Sequence, residues 1–322
     1  MDWRWKARIV KLIAALPMSN ALYYRIQRSL GSLRPGKYDP SERLRAAAKM
    51  VDWAEESGHP IEGRSVLEVG TGRTIDIPLA LWLCGAGRVL TVDLNPYLVE
   101  ELTRESVAFL CRPETITEIF GGLAERPLFR ERLARLRQFD GRLPDLMRLT
   151  DVQYVAPADA SHLTIPSGSI DVHVSFTVLE HIPPDVLASI LKEARRVLAP
   201  GGLLLHIIDP SDHFSHDDGS ITAVNFLQFS DREWTRLAAN QFMFHNRLRA
   251  YEYVELFTRA GVRIVGRRDA VDERSLKALQ NGFRLDERFR HIALEQLAIR
   301  SIILMGEYES ASHQQAPSGL AG

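Results

Sequence analysis

The stretch SVLEVGTGRTIDIPLALWLCGAGRVLTVDLNP, from Ser65 to Pro96, decides the fold. A strand-like run over 65–69 opens it. A turn holding Gly70 and Gly72 follows, then an apolar helical segment over 74–84 and a second strand-like run over 88–93. Strand, glycine turn, helix, strand is one crossover unit of a parallel sheet. Glycines at the end of a first strand let the backbone turn sharply and approach a ligand with no Cβ in the way. A dinucleotide turn wants a third glycine three places after Gly72, where the helix start meets a pyrophosphate. Ile75 stands there. Glu68, just before the turn, adds negative charge where a phosphate needs donors. The turn therefore predicts a nucleotide-like ligand without a diphosphate.

The alternation continues outward. Strands are expected at 152–157, 170–177 and 202–208, and in VRIVGRRDA (262–270) and LAIRSIILMGEY (297–308). Helices are expected at 184–198, 231–240 and 249–260. Several of these strands are continuously apolar, as parallel strands covered on both faces must be. The fold class is α/β, a doubly wound, seven-stranded, mainly parallel sheet. Ser230-Asp231-Arg232-Glu233 reads as a capping box. So does Asp39-Pro40-Ser41-Glu42, with Asp39 as the cap, Pro40 at the first helical position and Glu42 reaching back.

No internal repeat is present. Residues 1–38 read as accessory N-terminal helices, 39–310 as the main domain and 311–322 as a disordered tail. Residues 97–151 form a helical insertion after the second strand, longer than one crossover needs. ERPLFRERLARLRQF (125–139) within it alternates arginines with Leu128, Phe129, Leu133, Leu136 and Phe139, which fits the solvated face of an amphipathic helix. Following the ligand-binding edge, the insertion is a lid candidate.

A formal net charge of -1 gives no global attraction to nucleic acid. Cys84 and Cys111 make neither a disulfide framework nor zinc spacing, so a reducing, cytoplasmic setting is expected. No apolar run reaches the ~20 residues of a membrane span. In the first 16 residues, Trp3, Trp5, Ile9, Leu12 and Ile13 oppose Arg4, Lys6, Arg8 and Lys11. This imperfect amphipathic helix has two readings. It packs on the domain or on a partner in a homodimer, or it lies as a peripheral contact at the inner membrane surface.

Three acidic residues stand at successive strand ends. Asp93 can accept both hydroxyls of a ribose, a placement that serves nicotinamide dinucleotides and S-adenosylmethionine alike. Asp159, after the third strand, can accept from an adenine amino group beside a backbone N–H. Glu68 precedes the glycine turn. In these motifs — VLEVGTG (66–72), VLTVDL (89–94), PADASHLTIPSGSIDVHVSFTVLEHI (157–182) and EARRVLAPGGLLLH (193–206) — the chain resembles the class I S-adenosylmethionine-dependent methyltransferases. Within them it looks like a bacterial branch acting on small molecules or glycans. The resemblance covers roughly 60–210. It implies strand order 3-2-1-4-5-7-6 with an antiparallel last strand, and S-adenosylmethionine as cofactor. It implies that Gly70 and Gly72 line the cofactor with Thr71, Leu94 and Ala160, that Asp93 meets the ribose and Asp159 the adenine, and that Glu68 steers its amino-acid end. Thr74 departs from the third glycine common in the family.

Methyl transfer needs an aligned nucleophile and, for a hydroxyl, a base. SFTVLEHIPP (175–184), at the end of the fourth strand, lacks the Asn- or Asp-Pro-Pro-aromatic signature of adenine- and amide-directed members. Glu180 and His181 match a Glu-His pair of the small-molecule branch; His181 is either a base or a loop-ordering residue. HIIDPSDHFSHDDGS (206–220) concentrates His206, Asp209, Asp212, His213, His216, Asp217 and Asp218. Three readings stay open: a hydrogen-bonded loop, an acceptor site with His213 or His216 as base, or a divalent-metal site of Asp209, Asp212 and His213. Asn246 is expected to cap the helix at 249–260, unless Arg247 or Arg249 holds an anionic acceptor. Phe226, Phe229, Trp234, Phe242 and Phe244 are expected mostly in the core, with one or two as a ring platform. The expected activity is O-methylation of a small-molecule or glycan hydroxyl. N-methylation of an amino sugar or small amine, and a non-catalytic cofactor-binding subunit, are the alternatives.

Overall fold

A computed structural model describes residues 2–309 apart from Ser32, Ala239 and Gln241; the tail expected over 311–322 lies outside the described residues. The strands are β1 (Ser65–Val69), β2 (Arg88–Val92), β3 (Val152–Val155), β4 (Ile170–Phe176), β5 (Leu198–Ile208), β6 (Val262–Val271) and β7 (Ile299–Tyr308). They form one sheet in the order β3-β2-β1-β4-β5-β7-β6. β1 pairs in parallel with β2 and β4, and β7 runs antiparallel to both β5 and β6.

The period of two explains why both faces are covered. Val66, Val89, Val172, Val174, Leu203 and Leu205 point into one core. Their neighbours Leu67, Leu90, Val92 and Leu204 point into the other. The first core is covered by α3 (Ser41–Glu56), α4 (Asp76–Leu83) and the insertion; the second by α9 (Pro184–Val197) and α11 (Ala250–Arg259). α4 is buried on every face, so the helix behind the glycine turn shows no amphipathic stripe.

Local chemistry sets the ends. Ser230 and Glu233 form the reciprocal capping box that starts α10 (Asp231–Ala238). At α3 the expected box differs: the helix begins at Ser41, Pro40 occupies the cap position, and Asp39 accepts from the Ser41 amide at 2.8 Å.

The insertion builds α5 (Glu100–Leu110), the single turn α6 (Pro113–Thr115), α7 (Pro127–Arg137) and α8 (Leu143–Thr150). Arg126 makes a two-pronged pair with Glu55 of α3, at 2.6 and 2.8 Å. Arg132 donates to the carbonyls of Trp82 and Ala86, just ahead of β2. These contacts fix α7 beside α4 and the amino end of β2, away from the strand ends where a lid was expected.

The N-terminal helices α1 (Trp3–Ala14) and α2 (Ser19–Leu30) reach that edge instead. Asp218 accepts from the Trp3 amide at 2.8 Å. Trp3 is buried against Phe214, Phe229 and Trp234. Tyr23 stacks on Phe242 at 4.6 Å. The aromatic run of 226–242 is thus largely the seat for α1. The opposite face of α1 is uncovered: Trp5, Ile9 and Leu12 are exposed while Trp3, Ala7, Val10 and Ile13 are buried. Among the described residues no helix is long and apolar enough to cross a membrane.

Candidate active site

At the carboxyl ends of β1 and β2 the glycine turn is held by its own amides. Gly70 N–H donates to the Val92 carbonyl at 2.8 Å, and Thr71 N–H reaches the same oxygen at 3.4 Å. Gly72 N–H donates to Asp93 Oδ2 at 2.8 Å. Gly70 sits at φ +90°, and a Cβ there would stand 2.3 Å from Val178, so both conformation and space demand glycine. Asp93 also accepts from the Asn95 amide at 2.9 Å; burial pushes its carboxyl up, against these two amides. Glu68 is sealed beneath the turn, where it accepts from Thr91 Oγ1, itself 2.5 Å from Thr71 Oγ1. Burial pushes Glu68 up to about 8.

Leu94 projects from the strand end, 67% exposed. Asp159 is exposed at the end of β3, where Ser161 donates to it through amide and hydroxyl and holds its carboxyl below the usual range. Ala160 beside it is buried. Two residues not singled out from the sequence join this edge. Arg43 of α3 places its guanidinium beside Gly72 and 3.1 Å from Thr74 Oγ1. Arg73 lies over the rings of Tyr24 and Tyr97. Arg43 arrives with α3, while Arg73 follows Gly72 in the turn itself and is placed against Tyr24 of α2 and Tyr97.

The ends of β4 and β5 carry a different chemistry. His181, His213, His216 and His245 gather with ring centroids 4.9–5.8 Å apart in the neighbouring pairs. They line a cavity of about 210 Å³ with Lys6, Asp212, Phe226, Trp234 and Phe242. Asp209 lies 3.5 Å from His213 Nε2 and 3.4 Å from His216 Nε2. Burial pushes Asp209 up, but His216, the charge of His213 and Ser211 outweigh it and hold the carboxyl low. The hydrogen bond to Asp209 raises His216. Burial lowers His181 and His245, and takes His213 down to about 4. His181 Nδ1 meets the Phe244 carbonyl at 2.8 Å, which assigns the proton to Nδ1 and leaves Nε2 with its lone pair. Glu180 is fully buried, and burial pushes it well above the carboxylate range.

The other candidates of this region are structural. His206 is buried within β5 on Ser175 Oγ at 2.7 Å. Asp217 pairs with Lys6, and Asp218 anchors α1. Asp212 turns away from His213: it accepts from the Phe214 amide and from Asn225 Nδ2, each at 2.9 Å. The trio Asp209, Asp212 and His213 is therefore not a common ligand set. Asn246 is not the cap of α11. It donates to the Leu179 and Ile182 carbonyls, and Glu252 caps the helix by accepting from the Arg249 amide. Arg247 and Arg249 are buried and committed to carbonyls, with Asp231 also on Arg247, so neither is free for an anionic acceptor.

Comparison with known proteins gives a family match, described as a methyltransferase domain, over residues 130–206. No curated protein matches the sequence. Among solved structures, a methyltransferase from Methanosarcina mazei is 19% identical, with 77% of this chain and 93% of that chain covered at a TM-score of 0.41. A Burkholderia thailandensis 1,6-didemethyltoxoflavin-N1-methyltransferase is 16% identical, with 92% and 93% covered at 0.43. One from Mesorhizobium loti is 16% identical, with 82% and 99% covered at 0.42. The fold assignment rests on the sheet order itself. The sheet order is that of the class I S-adenosylmethionine-dependent methyltransferase fold, and residues 130–206 match a methyltransferase domain within it.

Proposed function

We propose that the chain moves a methyl group from S-adenosylmethionine to a hydroxyl of a small molecule or glycan. The saturated glycine turn supports this choice of cofactor. The Gly70, Thr71 and Gly72 amides are all directed to protein oxygens and not toward a diphosphate. Asp93 retains acceptor capacity for ribose hydroxyls, Leu94 offers an uncovered apolar surface to an adenine, and Asp159 stands at the next strand end. Arg43 beside Gly72 is suited to a carboxylate. When bound, the cofactor supplies an electrophilic methyl on a sulfonium.

The chain's own task is to align the hydroxyl and take its proton. The Asp209–His216 pair on the rim of the histidine cavity is the observation that carries this reading. With Nε2–H directed to Asp209, His216 Nδ1 is left to receive the proton, and Asp209 stabilises the imidazolium. His213 and His181, both lowered by desolvation, line the chamber beside it. Incubation with methyl-¹³C S-adenosylmethionine and a panel of glycosides, phenols and amino sugars tests the proposal. A methoxy carbon resonance is expected. An N-methyl resonance replaces the oxygen acceptor by nitrogen. No transfer, with S-adenosylhomocysteine still bound, leaves a cofactor-binding subunit.

We propose further that the outward face of α1 rests on an anionic membrane. Exposed Trp5, Ile9 and Leu12 are interleaved with exposed Arg4, Arg8 and Lys11, and the helix holds no acidic residue. Flotation with phosphatidylglycerol vesicles should recover the full chain and lose the Trp5→Ser/Leu12→Ser variant. Equal recovery contradicts the contact.

A further inference from the structure

We infer that Glu180, His181 and His213 form a binding site for one divalent first-row transition metal at the floor of the histidine cavity. One ligand atom from each lies within 4.8 Å of the others. The burial of Glu180 carries the argument. Its side chain is 0% exposed, and neither carboxylate oxygen has a hydrogen-bond partner. A sealed carboxylate without partners is costly. Protonation does not remove the cost, because the new O–H would also need an acceptor. A cation satisfies both oxygens at once.

The donors around it suit such a cation. His213 Nε2 is likewise buried without a hydrogen bond and lies 4.0 Å from Glu180 Oε1. His181 Nδ1 is oriented by the Phe244 carbonyl, the outer contact that fixes a metal-binding imidazole with Nε2 as donor. Asp209 Oδ2, 3.5 Å from His213 Nε2, stands ready as a fourth ligand or as the partner of a bound water. Two nitrogens and a carboxylate favour zinc, manganese or iron over calcium or magnesium. Ligand bonds of about 2.0–2.2 Å bring tetrahedral donors to about 3.3–3.5 Å apart, so closure draws the widest pair together by up to about 1.4 Å. His181 keeps an exposed edge, which gives the ion a way in. His245 is excluded from the set: its Nδ1 accepts from the Arg247 amide and its Nε2 faces the Asp209 carbonyl.

The site deepens the proposed function, and its use rests on that reading: a metal here would lower the pKa of an acceptor hydroxyl held beside it. Metal binding itself is tested independently. The full chain, stripped with EDTA and dialysed, is titrated with Zn²⁺ by calorimetry, and S-adenosylhomocysteine binding is measured in parallel. One saturable Zn²⁺ site is expected, weakened about 100-fold or more in Glu180→Gln and in His213→Gln. Co²⁺ should give visible d–d bands that both variants lose. Circular dichroism and S-adenosylhomocysteine affinity confirm that each variant is folded. Absence of a saturable site, or Zn²⁺ affinity unmoved by both variants, overturns the metal; S-adenosylhomocysteine binding retained in that case leaves the methyltransferase reading standing. Loss of S-adenosylhomocysteine binding alone contradicts that reading and not the metal.

Discussion

The two halves of the ligand-binding edge treat their polar groups in opposite ways. At the ends of β1 and β2, amides, hydroxyls and carboxylates are closed on one another: Gly72 on Asp93, Thr71 on Thr91, Thr91 on Glu68. At the ends of β4 and β5, the Glu180 carboxylate and His213 Nε2 are buried and left open, inside a ring of histidines. A closed network fixes one backbone shape, as a site for an unchanging cofactor requires. Open buried donors and acceptors are tolerated where something else completes them. Under the proposed function, the closed side would serve the common cofactor and the open side the acceptor chemistry.

The largest effect is expected on the open side. His216→Ala should lower turnover by about 10²- to 10⁴-fold while S-adenosylhomocysteine affinity is unchanged, since the histidine acts on the acceptor. Normal turnover would remove His216 as the base. On the closed side, Asp93→Ala should weaken S-adenosylhomocysteine by about 10- to 100-fold, through loss of charge-assisted bonds of about 1.5–3 kcal/mol. Calorimetry reads this directly, and an unchanged affinity would separate Asp93 from the ribose.

The smallest effect belongs to Glu68. Its carboxyl is raised by burial from 4.5 to about 8, so the folded protein holds the proton more tightly than the unfolded chain. The stability it contributes is full below pH 4.5 and is lost as pH rises through about 8. Glu68→Gln is neutral at every pH. The variant's stability relative to the parent should therefore rise between pH 7 and 8, by at most about 1.4 kcal/mol per pH unit, and level off above that. A pH-independent offset would contradict the buried proton.

The sheet was legible because its strands are short apolar runs separated by marked turns, and β1 is found at 65–69 as its residues imply. The glycine turn was legible because Gly70, Gly72 and Asp93 meet close to where they lie in sequence, with Glu68 sealed beneath them. The acceptor edge was not, because its residues meet across the fold. Glu180 and His213 are 33 positions apart, and His245 comes from a third segment. Spacing cannot say that Asp212 turns toward Asn225 while Asp209 turns toward His216. The insertion divides: Arg126 and Arg132 tie its middle to α3 and to the Trp82 and Ala86 carbonyls, while its start stays at the glycine turn, where Val99 N–H donates to the Arg73 carbonyl. The cover over the edge comes from α1 and α2, whose aromatic anchors Trp3 and Tyr23 reach residues more than 200 positions away.

Calorimetric titration of the full chain with S-adenosylhomocysteine and, separately, with NADH tests the central claim most directly. The saturated glycine turn predicts one S-adenosylhomocysteine site and no saturable NADH binding. NADH binding without S-adenosylhomocysteine binding would contradict the account, which reads the Gly70–Gly72 amides, turned to protein oxygens, as a turn for a ligand without a diphosphate.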